Sequence, residues 1–271
     1  MQESFTSSDG VSIAYSALGD TTDPVVVLCH GLGAAGSQFT DDANYFAAQG
    51  FRVIVPDLRG HGLSAMSAAP RSADFSPERL ARDLIELLDH VGAKEVHWVG
   101  NSLGGILGLT LVESHPERFV TLALFGTALA LKLPAAGWPF IALDYFPGRR
   151  AVAALTARTT TRNKAARPVV ANMLNQYDAR ATAYIVDHIR RYDLIQAALN
   201  WQGPGMVMVG GRDIAVNKAL LGQLPLLRAR PNWTIIDLPQ GGHCANLDAG
   251  PLWRQSLLKF WESSGANSGQ R

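Results

Sequence analysis

The chain has 271 residues, 47% hydrophobic and only 17% charged, and 24 Lys and Arg against 23 Asp and Glu give a net charge of +1. That composition suits one large folded core and argues against a disordered chain, while the near-neutral balance offers no global reason to expect nucleic acid or an anionic membrane as partner. The two cysteines, Cys29 and Cys244, are too few for a disulfide framework, and no apolar run approaches the roughly 20 residues that span a bilayer.

Residues 1–10 carry no basic region ahead of an apolar core, so a cytoplasmic protein is expected. Alternation on either side of Gly10, in Phe5-Thr6-Ser7-Ser8 and Val11-Ser12-Ile13-Ala14-Tyr15, predicts an antiparallel hairpin. Residues 25–29 then form a continuous apolar run, the signature of a strand buried on both faces of a mostly parallel sheet. Residues 53–55, 96–99, 122–125, 206–209 and 233–236 repeat it. Helical patterns fall between the runs, at 39–49 and more strongly at 77–91. In the second, Ser76 stands as N-cap and Pro77 at the first position, with Leu80, Leu84, Leu87, Leu88 and Val91 as the apolar stripe.

This alternation predicts a doubly wound α/β sheet. From about 128 to 200 it stops: several helical segments occur there, 179–199 among them, without a buried strand. The chain therefore divides into a core of residues 1–127 and 201–262, a helical cap insertion at 128–200, and a polar tail at 263–271 expected to be disordered. No internal repeat is present.

Chemistry concentrates at the ends of the apolar runs. Gly100-Asn101-Ser102-Leu103-Gly104-Gly105 follows residues 96–99 and reads as strand, sharp turn and helix, with Ser102 at the apex among small neighbours. A serine hydroxyl is a weak nucleophile unless a base takes its proton and donors receive the oxyanion, and a G-x-S-x-G elbow positions it for both. His30-Gly31-Leu32-Gly33 follows the 25–29 run, where a small turn can aim the Leu32 N–H beside that of Leu103; an ordinary Gly-rich connection is the alternative. Asp213, in Gly210-Gly211-Arg212-Asp213, stands where a carboxylate can orient an imidazole, although a lone aspartate there also suits a helix cap. His243, in Gly241-Gly242-His243, lies on a loop that can reach a neighbouring strand end. Of the other histidines, His90, His97 and His115 read as surface or packing residues, His188 falls in the insertion, and His30 and His61 read as structural.

The order Ser102, Asp213, His243, each beyond a separate predicted strand, resembles the α/β-hydrolase superfamily, particularly the group that includes bacterial carboxylesterases, lactonases and carbon–carbon bond hydrolases. The resemblance covers nearly the whole chain. Asp57-Leu58-Arg59-Gly60-His61-Gly62-Leu63-Ser64 resembles the family's turn after its fourth strand, which shapes the fold and pocket wall, so Arg59 and His61 receive no catalytic role. The family implies a mostly parallel eight-stranded sheet with a helical cap. It also implies a Ser102–His243–Asp213 triad, an oxyanion hole from the Leu32 and Leu103 amides, and no metal or organic cofactor. One departure is that Asp213 is followed by Ile214-Ala215-Val216-Asn217, without the proline many relatives carry. Cys244 lacks an elbow and histidine of its own and is expected to pack.

Ester or lactone hydrolysis is the leading expectation, with carbon–carbon cleavage of ring-cleavage products and hydrolysis of acyl-carrier-protein esters as alternatives. A non-catalytic receptor is a further one. Dehalogenase and epoxide hydrolase chemistry both require a carboxylate where Ser102 stands. Substrate choice is expected to lie in the insertion, with Gly31, Trp138, Phe140 and Tyr145 as candidate pocket residues. Phe146, Tyr177, Tyr184 and Tyr192 add to the aromatic content that makes an apolar pocket plausible, and each of these seven aromatics could instead merely pack the cap onto the sheet. The insertion is basic, with ten Lys and Arg against four Asp, which reads either as a solvated outer face or as a surface for an anion such as an acidic carrier protein. A monomer or homodimer is expected.

Overall fold

Adjacent residues of the apolar runs pack on opposite faces of one sheet, which is why the runs are continuous and not alternating. Val26 and Leu28 join Phe46, Phe125, Trp253 and Trp261 on one side, whereas Val27 and Cys29 join Leu84, Trp98, Leu107 and Leu122 on the other. The computed structural model describes residues 2–132, 136–161 and 163–265. Its strands are β1 (Gln2–Thr6), β2 (Ser12–Leu18), β3 (Val25–Cys29), β4 (Arg52–Pro56), β5 (Val96–Asn101), β6 (Phe119–Phe125), β7 (Ala130–Lys132), β8 (Arg191–Asp193), β9 (Gly205–Gly210) and β10 (Trp233–Leu238). Eight of them form one sheet in the order β1-β2-β4-β3-β5-β6-β9-β10. The β1–β2 hairpin and the β2–β4 pair are antiparallel and every other pair is parallel.

The core helices are α1 (Thr40–Ala48), α2 (Pro77–His90) and α3 (Leu103–Ser114); α4 (Trp138–Leu143), α5 (Arg149–Thr160), α6 (Arg167–Met173), α7 (Ala179–Ile189) and α8 (Ile195–Asn200) follow within the insertion. Beyond it lie α9 (Ile214–Arg228), α10 (Ala245–Asp248) and α11 (Gly250–Ser263). The expected cap of α2 is present, with Ser76 Oγ accepting from the Arg79 N–H at 3.2 Å. The expected 179–199 helix is broken instead. α7 starts at the Asp178 cap and ends at Ile189, and β8 then pairs antiparallel with β7 before α8 begins. These two strands are three residues each and only partly buried, so they leave no apolar run to read. α11 extends to Ser263, Ser264-Gly265 form a turn, and the rest of the expected tail lies outside the described residues.

A buried ion cluster fixes the loop after β4. The Arg59 side chain is fully buried, donating from Nε and Nη2 to Asp83 at 2.9 and 2.8 Å and from Nη1 and Nη2 to Asp9 at 2.7 and 3.0 Å. It thus ties the hairpin turn to α2, and the guanidinium holds the Asp9 carboxyl below its ordinary range. Removing one partner strands a buried charge, so Asp83→Ala is expected to lower unfolding free energy by about 3–5 kcal/mol in urea titrations.

Candidate active site

β5 ends at Asn101 and α3 begins at Leu103, leaving Ser102 at φ 51°, ψ −111°. It has the only positive φ of any non-glycine among the described residues. Such a backbone is unfavourable for an L-residue and persists only when its surroundings dictate it. Here they do. A side chain at Gly104 would overlap the Cys29 carbonyl, and one at Gly100 would overlap the Gly104 backbone, so α3 lies against β3 and β5 as closely as glycine permits. The Ser102 N–H donates to Phe125 O at 3.0 Å, and its carbonyl accepts from Gly105 N, Ile106 N and Thr127 Oγ1.

β5, β6, β9 and β10 are parallel neighbours, so the chain leaves each of them on the same edge of the sheet. Ser102 follows β5, Asp213 lies just beyond β9, and His243 follows β10. Asp213 is buried and caps α9 through Oδ1, which accepts from the Val216 N–H at 3.3 Å. Its Oδ2 lies 2.8 Å from His243 Nδ1. One carboxylate oxygen thus meets the helix N-terminus and the other the imidazole. The turn after β6 leaves space for the imidazole because Gly126 has no side chain; a Cβ there would come within 3.2 Å of His243 Nδ1.

The Gly-rich turn after β3 faces the elbow, since a Cβ on Gly31 would lie 3.1 Å from Ser102 Cβ. Two buried imidazoles brace it. His30 Nε2 accepts the Leu58 N–H at 3.0 Å and His61 Nε2 accepts the Gly33 N–H at 3.1 Å, so the ring proton of each is on Nδ1, donating to Gly31 O and Arg59 O. Burial pushes both imidazoles down to about 4. Gly33 N and Ala34 N are thus occupied by His61 and Gly31 O; Leu32 N takes part in neither bond. Leu103, as the first residue of α3, has no partner for its N–H within the helix.

A chain of buried amides behind the elbow had no counterpart in the sequence reading. Asn101 Nδ2 donates to His243 O at 3.0 Å and to Phe125 O at 3.2 Å, while Asn101 Oδ1 accepts from Gln38 Nε2 at 3.1 Å. Gln38 Nε2 also donates to Asn246 Oδ1, and Asn246 Nδ2 donates to Asp42 Oδ2 at 2.8 Å. Burial raises the Asp42 carboxyl to about 6, against the opposing pull of Asn246 and Arg254. Asp248 accepts the Gly242 N–H on Oδ2 at 2.7 Å and the Asn163 N–H and Thr161 hydroxyl on Oδ1, linking the His243 loop to the insertion. Asn101 sits beside Ser102 in sequence, which is the one local signal that was available. Gln38 and Asn246 are 208 positions apart, and nothing local announces their contact.

The remaining candidates are distributed differently. Trp138 on α4 and Tyr145 just beyond it are 68% and 83% exposed, so neither packs into the core. Phe140 lies on α4 and its side chain is outside the described residues. Tyr184 stacks on Phe75 at 5.7 Å, Tyr177 lies under the Arg149 guanidinium and Tyr192 OH donates to Ala128 O, so these three pack the insertion. Cys244 is buried, and burial lifts its thiol to about 12, which fits a packing role.

The chain matches the family model described as alpha/beta hydrolase fold over residues 24–249, and it belongs to that family. It is similar to an epoxide hydrolase A of Mycobacterium tuberculosis, 32% identical over 133 residues that make up 49% of this chain and 39% of that protein. It is also similar to a magnesium-chelatase 30 kDa subunit of Rhodobacter capsulatus, 33% identical over 161 residues, 59% of this chain and 49% of that one. The matches thus span half or less of these curated relatives' own length. The fold superposes on an enol-lactonase from Burkholderia xenovorans with a TM-score of 0.84 at 22% identity, covering 96% of this chain and 100% of that one.

Two predictions follow from these contacts. Unfolded histidines take up protons near pH 6.5 whereas His30 and His61 resist to about 4, so their stabilisation is complete above pH 6.5 and is lost as pH falls through that window. Asp42, raised to about 6, has the opposite sign. His61→Asn is therefore expected to flatten the fall in unfolding free energy between pH 7 and 4, by up to about 3 kcal/mol, in pH-resolved denaturation. Asp248→Ala frees the His243 loop and is expected to slow fluorophosphonate labelling of Ser102 roughly 10- to 100-fold with the far-UV spectrum unchanged.

Proposed function

We propose that the protein is a serine hydrolase of small or medium carboxylic esters or lactones, acting through an acyl-enzyme on Ser102. The observation that carries this reading is the positive-φ serine on the same sheet edge as the Asp213–His243 hydrogen bond. His243 accepts the Ser102 proton as the hydroxyl attacks the carbonyl carbon, and Asp213 fixes the imidazole tautomer and stabilises the imidazolium. The Leu32 and Leu103 amides receive the oxyanion, each donor contributing on the order of 100-fold in turnover. The alcohol leaves with a proton from His243, and a water activated by the same imidazole releases the acid.

The relatives' names include epoxide hydrolases, so the reaction class rests on the nucleophile. Opening an epoxide through a covalent ester requires a carboxylate at the elbow, and this chain has Ser102 there. Residues 128–200 act as the cap over a core of 1–127 and 201–262. Gly31 forms the floor of the pocket beside Ser102, and the exposed Trp138 and Tyr145 supply an apolar rim at its entrance. Among the described residues no helix is long and apolar enough to cross a membrane; the enzyme is assigned to the cytoplasm, as a monomer or homodimer.

Ser102→Ala is expected to lower hydrolysis of p-nitrophenyl butyrate by a factor on the order of 10⁴ or more while circular dichroism stays native. Undiminished turnover in that variant would sink the assignment. Asp213→Asn, which removes the carboxylate that fixes the imidazole tautomer and stabilises the imidazolium, is expected to reduce turnover by about 10⁴ as well.

A further inference from the structure

The net charge of +1 conceals a strongly uneven distribution. Between residues 138 and 167 the chain carries Arg149, Arg150, Arg158, Arg162, Lys164 and Arg167 against Asp144 alone. Asp144 is itself taken by Arg149, whose Nε donates to it at 3.1 Å. The same stretch holds Trp138, Leu143, Tyr145, Phe146, Leu155 and Val169 just beyond it, six of the eleven large apolar side chains found exposed among the described residues. Phe146 is 85% exposed and Leu155 is 65% exposed. On α5, Ala153 and Ala157 are buried, so Leu155 and Arg158 lie together on the opposite, outward face, with Arg150 exposed in the first turn.

Exposed aromatics and leucines interleaved with Arg150 and Arg158, which have no ion pair among the described residues, match one environment well, the boundary between acyl chains and anionic headgroups. Trp and Tyr rings sit at that depth, leucine and phenylalanine reach below it, and guanidinium groups meet the lipid phosphates. An acidic protein would satisfy the arginines but leave Phe146 and Leu155 facing polar surface. We propose that the α4–α5 segment docks the protein peripherally on anionic lipid membranes, so that lipophilic esters reach the cap from the bilayer. The route of the substrate rests on the hydrolase reading given above; the docking itself does not.

Trp138 reports on this contact without labelling. Trp98, Trp201, Trp233, Trp253 and Trp261 are buried, so Trp138 is the one tryptophan open to a vesicle. The full chain, and separately its Ser102→Ala variant, would be sedimented with vesicles of phosphatidylglycerol and phosphatidylcholine and with phosphatidylcholine alone. Both proteins are expected to sediment with the anionic vesicles, with a blue shift of tryptophan emission, and to remain in solution with the neutral ones. Arg150→Glu combined with Arg158→Glu is expected to weaken partitioning roughly 30-fold. Phe146→Ser with Leu155→Ser is expected to abolish the portion of binding that survives high salt. Both pairs leave p-nitrophenyl butyrate turnover unchanged. No sedimentation with anionic vesicles, sedimentation insensitive to both pairs, or retention by an acidic carrier protein with none on vesicles would overturn the proposal. Absence of esterase activity in the unaltered chain, or undiminished activity in Ser102→Ala, with vesicle binding intact would overturn the hydrolase reading alone.

Discussion

The site depends on a backbone that a serine does not adopt by preference. Ser102 is turned to φ 51° because α3 is pressed onto β3 and β5 at Gly100 and Gly104, where any side chain would collide with main chain. The close approach is stabilised by the large apolar contact of α3, from Leu103 through Leu111, which is buried almost throughout. Strain at one residue is thus offset by packing along a whole helix. The consequence is chemical: the hydroxyl stands on the edge of the sheet, above a helix N-terminus whose first amides have no partners within the helix.

Around that point the polar groups are held by buried bonds. Asn101 connects the elbow to the His243 carbonyl, Gln38 and Asn246 extend the link to Asp42, and Asp248 fastens the His243 loop to Thr161 and Asn163 of the insertion. On the opposite flank, His30 and His61 hold the Leu32 turn through backbone bonds that only a neutral imidazole can accept. Arg59 anchors the loop that carries His61, so an ion cluster near the hairpin ultimately supports a turn beside Ser102. The geometry around Ser102 is therefore held by buried bonds of residues outside the proposed triad.

The parts legible in the sequence were those written in local patterns. Continuous apolar runs located six of the eight strands of the main sheet, alternation on either side of Gly10 located the β1–β2 hairpin, and Ser76-Pro77 with its leucine stripe located α2 nearly to the residue. Glycines beside Ser102 and His243, and the aspartate beyond Gly210-Gly211, gave the three chemical groups at strand ends. What the sequence concealed was either short or long-range. β7 and β8 are too brief and too exposed to show periodicity, and they divided a helix expected to be continuous. The Gln38–Asn246 contact joins residues that only the finished sheet brings together. The aromatic residues of the insertion looked alike in sequence, but Tyr177, Tyr184 and Tyr192 pack while Trp138, Tyr145 and Phe146 face outward.

Division of labour follows from this arrangement. On the proposed reading the sheet edge carries the reaction chemistry and the insertion, joined to it through Asp248, selects the substrate. The central claim is that Ser102 carries the acyl group during turnover. Rapid quenching of the reaction with p-nitrophenyl butyrate in acid, followed by peptide mass spectrometry, tests it directly. The account predicts a butyryl group on the peptide containing Ser102, formed at a rate no slower than turnover. Hydrolysis proceeding with that peptide unmodified, or with the acyl group on another residue, would contradict it.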